Sequence, residues 1–284
     1  MDDSDPNHPA LDGKRRVAAL YNRVAPDYAE LGPPVFAHAG RSLVEIAGVA
    51  SGDRVLDVAT GRGAVLFAAA ERVGATGQVI GIGLAEGMVT QTAAAIERQA
   101  IGHAAVRQMD AEALDFTTSS FDRVLCSFAV FFFPNLPRAL TEMRRVLRPN
   151  GTVGFAFSRG TDPRWQWYEA RLRELGAFDA LPPPPGRADI RKEGELTVAL
   201  SAAGFDEARE LTEEVELFFP DENAWWQSLW THGTRRPLDH LALRAPEMLA
   251  SFKEECLTRV RTLMGPRGIP ERHSFVYVTA RRLE

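Results

Sequence analysis

The chain has 284 residues, 45% of them apolar and 25% charged, enough for one large α/β domain or for one domain with a sizeable insertion. A net charge of −5 argues against a general nucleic-acid or anionic-membrane binder, and no apolar run approaches the roughly 20 residues of a membrane span. The two cysteines, Cys126 and Cys256, lie far apart without metal-ligand spacing, which suits a reducing cytoplasm and predicts no metal site.

Residues 1–14 are acidic and polar and read as a disordered tail rather than a signal peptide, followed by an N-terminal helical segment over 15–50. From residue 53 short β-rich runs alternate with helical periods. "RVLDVA" (54–59) leads through "GRG" into an Ala-rich helix ending near Val73. "GQVIGI" (77–82) precedes a helix in which Met88, Thr92, Ile96 and Gln99 share a face. "AAVRQM" (104–109) and "FDRVLCSF" (121–128) continue the pattern. A helix carrying Leu136, Leu140, Met143 and Leu147 follows, then the turn signal "RPNG" (148–151) and a strand, "TVGFAF" (152–157). Such alternation predicts a parallel sheet with helices on both faces.

Beyond residue 160 the order loosens. Two segments, 160–190 and 221–270, read as insertions rich in tryptophan, separated by a helix over 194–205 and a strand over 212–220 with one wet face. A last strand, 274–282, arrives about 55 residues after its predecessor, which implies a cap inserted before it. Trp165, Trp226 and Trp230, together with Phe132, are candidates for an apolar substrate pocket. The plainer account of these tryptophans is the cap's own core.

The strongest local signal is "LDVATGRGA" (56–64): an acid closes a strand, Gly61 and Gly63 form the turn, and a helix opens with free amides facing a ligand. A dinucleotide fingerprint needs a further glycine where this chain has Leu66, so that reading loses its support.

These residues resemble motif I of the class I S-adenosylmethionine-dependent methyltransferases. "RQMDAEALDF" (107–116) is similar to that family's adenine-binding segment, and residues 121–155 to its fourth-strand block through the fifth strand. "YNRVAPDYAEL" (21–31) looks like the N-terminal helix of the ubiquinone/menaquinone-type members and of natural-product enzymes built like them. The resemblance implies one domain over 15–284: a doubly wound, seven-stranded, mostly parallel α/β sheet with N-terminal helices and an aromatic helical cap before the last strand. It implies S-adenosylmethionine as cofactor, with Asp57, Ala59, Thr60, Gly61 and Gly63 around its methionine portion and Tyr21 and Tyr28 leaning over that end. Asp110 would accept from the adenine amino group beside the Ala111 amide. Ser127 and Phe128 would pass under the sulfonium, and Leu84 and Met88 would give apolar cover.

The chain departs from the family where the second strand ends. An acid there takes both ribose hydroxyls in the family; here the residue is Gly83. Either water or Glu86 substitutes, or the contact is a lesion, or the scaffold no longer methylates. His38 and His232 are candidate bases for the substrate, each also readable as an ordinary surface or core histidine. The expected function is methyl transfer to a small hydrophobic or aromatic acceptor. The alternative is a non-methylating reaction such as cyclisation, or a non-catalytic binding protein.

Overall fold

The computed structural model describes residues 9–28, 34–160, 162–179, 188–231 and 235–283. Two helices, α1 (Pro9–Val24) and α2 (Val35–Ile46), precede the sheet. Residues 9–14, which their composition assigns to the tail, are therefore helix. They are anchored through Lys14, whose partners lie almost a hundred positions away and leave no trace in local composition. Residues 1–8 lie outside the described residues.

The alternation then follows as the sequence predicts: β1 (Arg54–Val58), α3 (Ala64–Val73), β2 (Gln78–Gly83), α4 (Glu86–Arg98), β3 (Ala104–Gln108), β4 (Phe121–Ser127), α5 (Leu136–Val146) and β5 (Leu147–Ser158). β5 absorbs the expected turn at 148–151. Asn150 sits at φ 64 and the pairing with β4 shifts register between Phe121 and Arg123, so the turn residues form a bulge inside a continuous strand.

The second half comprises α6 (Gln166–Glu174), α7 (Glu195–Ala202), β6 (Asp206–Phe219), α8 (Glu222–Ser228), α9 (Arg236–Arg244), α10 (Pro246–Arg261) and β7 (Ile269–Arg281). β6 and β7 begin ahead of the expected 212 and 274. They pair antiparallel from Asp206↔Arg281 to Phe219↔Ile269, and ladder hydrogen bonds carry the extended backbone past the apolar alternation.

The seven strands run in the order β3-β2-β1-β4-β5-β7-β6, with β7 the antiparallel member. Strands buried on both faces need apolar residues at successive positions. In β1, Leu56 and Val58 face a core shared with α5 and α7, while Val55 faces the opposite core shared with α2 and α3. The direction of winding reverses between β1 and β4, and in such sheets the crevice beyond the strand ends at that reversal is where ligands bind.

Candidate active site

At this reversal lies a cavity of about 830 Å³, within the range of roughly 300–1,000 Å³ typical of small-molecule sites. β1 supplies Asp57 to its wall and the turn after it Ala59, Thr60, Gly61 and Gly63, while Gly83 ends β2 and Leu84 follows it. Met88 comes from α4, Asp110 and Ala111 follow β3, and Ser127, Phe128 and Phe132 end or follow β4. Tyr21 and Tyr28 enter from the N-terminal segment. One cavity thus gathers every residue that the resemblance assigns to the cofactor.

Two non-glycine residues at the switch point hold left-handed backbone, Ala59 at φ 57 and Phe128 at φ 55. Such conformations cost about 1–3 kcal/mol each and persist where surrounding contacts impose them. The Phe128 amide donates to Ala156 O at 2.7 Å and the Thr60 amide to Ile82 O at 2.8 Å, so the neighbouring strands fix both turns.

Asp57 is buried. Thr60 Oγ1 donates to its Oδ2 at 2.6 Å and the Leu66 amide donates to the same oxygen at 3.0 Å. Burial pushes this carboxyl up to about 7, against the two hydrogen bonds, so a cationic group at Oδ1 would restore its charge. Ser127 Oγ is buried without a hydrogen-bond partner among the described residues. An acid awaiting a cation and an orphaned hydroxyl both fit a zwitterionic sulfonium ligand.

Part of the cavity wall is aromatic. Tyr21 meets Tyr28 and Phe132 edge-on at 5.8 Å each, Tyr28 stacks on Phe36 at 5.4 Å, and Phe36 meets Phe128 at 4.9 Å. Burial pushes Tyr21 up to about 12 and Tyr28 well above the usual phenol range, so both stay neutral.

Four other candidates are placed elsewhere. Trp165 stacks on Trp225 at 5.3 Å, and Trp226 packs on Trp230 and Phe252 at 6.3 and 6.1 Å, all in the cap's own core. The cap helices bury their apolar faces on one another and on Phe219 and Ile269 at the ends of β6 and β7, and these tryptophans do not line the cavity. Trp230→Ala is accordingly expected to lower stability by about 1–2 kcal/mol and leave the KM for the methyl acceptor unchanged, as thermal melts and steady-state kinetics will show. His38 turns toward β6, with Nε2 3.1 Å from Glu213 Oε2 and its ring stacked on Phe275 at 5.4 Å, off the cavity wall. His232 lies outside the described residues.

The sequence reading missed Lys14, Arg62, Phe36 and Glu112, which also line the cavity. Lys14, Ala18 and Tyr21 recur at helical spacing on one face of α1, a signal that finds Lys14 once Tyr21 is taken as a wall residue. Arg62 ties the turn after β1 to the end of α1, its Nη1 donating to Ala25 O at 2.5 Å.

A family model described as a methyltransferase domain matches residues 55–151. The chain is 33% identical over 274 residues to nocamycin O-methyltransferase of Saccharothrix syringae, covering 92% of this chain and 97% of that protein. It is 37% identical over 153 residues to aklanonic acid methyltransferase DauC of Streptomyces sp., covering 53% of this chain and 70% of that one. The crystal structure of YcgJ from Bacillus subtilis shares the fold, with a TM-score of 0.56 at 18% identity over 87% of this chain and 99% of that one. The chain therefore belongs to the class I S-adenosylmethionine-dependent methyltransferases, with S-adenosylmethionine as its cofactor.

Proposed function

We propose that this enzyme methylates a small hydrophobic or aromatic acceptor in secondary or quinone-like metabolism, in the cytoplasm. The observation that carries the reading is a single cavity lined both by polar groups, Asp57, Asp110 and the glycine turn after β1, and by the rings of Tyr21, Tyr28, Phe36 and Phe132. Asp57 and the turn from Ala59 to Gly63 would hold the methionine portion, and Asp110 with the Ala111 amide the adenine. Ser127 and Phe128 would lie under the sulfonium. Bound there, the cofactor supplies an activated methyl group. The protein's part is to align the acceptor and exclude water, for which the wall of Tyr21, Tyr28, Phe36 and Phe132 is suited. One named relative is an O-methyltransferase, which favours oxygen as the accepting atom.

Methyl-labelled cofactor offered with phenols, quinols and conjugated acids tests the reading. Label is expected in at least one class; tight cofactor binding with no label in any would refute it.

Asp57 gives this reading a pH dependence. Its folded carboxyl titrates near 7, above the ordinary carboxylate range, so its contribution to stability is full at acid pH and is lost as pH rises through 7. With a cofactor ammonium beside it, the Asp57 carboxyl would favour its charged form and give up the proton. Affinity is therefore expected to fall as pH drops below about 7, and calorimetry in buffers of different ionisation enthalpy should show proton release. Asp57→Asn should flatten both effects.

A further inference from the structure

Lys14 lies far from Asp110 in sequence, yet its ammonium bridges two carboxylates of the cavity wall. Nζ donates to Asp110 Oδ2 at 2.8 Å and is also paired with Glu112 Oε2. Glu112 is buried, and its other oxygen accepts from the Asn135 amide at 2.7 Å. The Glu112 amide in turn donates to Asp110 Oδ1 at 2.9 Å. Lys14 is thus the counter-charge of a buried carboxylate and a fixed partner of the acid that faces the adenine. Burial opposes its charge, but the hydrogen bonds and charges of Asp110 and Glu112 outweigh that and hold the ammonium above its usual range. Asp110 keeps lone pairs for a ligand, because an ionised carboxylate offers about four.

The other end of α1 is fastened differently. Asn22 Oδ1 accepts from the Gly87 amide at 2.8 Å, Arg62 holds Ala25 O, and Tyr21 packs into the aromatic wall. Lys14, Ala18 and Tyr21 all line the cavity, so a cofactor reaching from Asp110 to Ser127 lies along this helix.

We propose that Lys14 is a positioning residue for the cofactor. It presents Asp110 to the adenine and latches α1 over it, so that removing the pair with Glu112 speeds the departure of bound cofactor. The proposal rests on the adenine lying at Asp110, and the experiment separates the two.

Lys14→Met alone strands the buried Glu112 carboxylate and risks the fold. Lys14→Met with Glu112→Gln removes both charges and keeps an oxygen for the Asn135 amide. In that double variant the demethylated cofactor is expected to dissociate roughly tenfold faster or more in stopped-flow displacement. Amide exchange over residues 14–20 of the cofactor-free protein should also quicken. The wild-type release rate should climb with ionic strength and the variant's should not, while Lys14→Arg restores part of the retention. Wild-type release in the folded double variant overturns the proposal, as does faster amide exchange with unchanged release. Wild-type cofactor affinity in a folded Asp110→Ala variant overturns the underlying adenine assignment instead, whatever the double variant does.

Discussion

Gly63→Val is expected to abolish measurable cofactor binding and to lower the stability of the domain by about 2–5 kcal/mol. Two separate costs fall on this position. Gly63 caps α3 at φ +86, a left-handed conformation that a β-branched side chain strongly resists. A Cβ there would also stand 2.7 Å from Phe67 Cε2 and 3.3 Å from Thr92 Cγ2. Its first obstacle is therefore the protein itself, not the ligand space that a glycine-rich turn brings to mind. Displacing Thr92 spreads the damage, because its Oγ1 donates to Gly61 O at 2.8 Å and holds the turn that faces the cofactor. Calorimetry with the demethylated cofactor and a thermal melt read the two consequences. Gly63→Ala with Phe67→Ala relieves the clash but not the backbone strain, so it should recover part of the stability. Wild-type affinity in Gly63→Val would mean that this turn does not shape the site.

The sheet was legible because its signals are local. Strands such as "RVLDV" and "QVIGIG" must be apolar at successive positions to be buried on both faces, and Asp57 stands out as the acid that interrupts one of them. Most of the cavity residues that the resemblance picks out were legible for a related reason: apart from Tyr21, Tyr28 and Met88, they sit at a strand end or in the turn after it, where sequence position and spatial position coincide. The cap was not. Its tryptophans announce burial, but burial alone does not say against what. Trp165 meets Trp225 across a long sequence gap, and that pairing depends on how α6 and α8 pack. His38 failed likewise. It lies two residues from Phe36, which does line the cavity, yet the helix carries it round to Glu213 and Phe275. Lys14 is the opposite case, a residue of a seemingly plain polar stretch whose meaning comes entirely from Asp110 and Glu112.

Gly83→Asp is expected to tighten cofactor binding roughly tenfold to a hundredfold. Gly83 ends β2, lines the cavity and is absent from the residues with positive φ, so the backbone does not require a glycine. A Cβ built there meets nothing within 4 Å, so crowding does not require one either. Glu86, the nearest acid in sequence, opens α4 and does not line the cavity, which leaves the ribose without an obvious anionic partner. An aspartate would offer two hydroxyl groups a charged acceptor, each bond worth about 1.5–3 kcal/mol. Ordering the new side chain and adding a negative charge near Asp57 and Asp110 take back part of that gain. A net improvement of about 1–3 kcal/mol remains. Calorimetry with the demethylated cofactor and with its 2′-deoxy analogue makes the test specific: the gain should shrink for the analogue and be smaller for Gly83→Asn. No gain at all would mean that the ribose hydroxyls are already satisfied, by water or by a group outside this strand end. A gain in affinity with turnover unchanged would show that the missing acid costs this enzyme cofactor retention rather than chemistry.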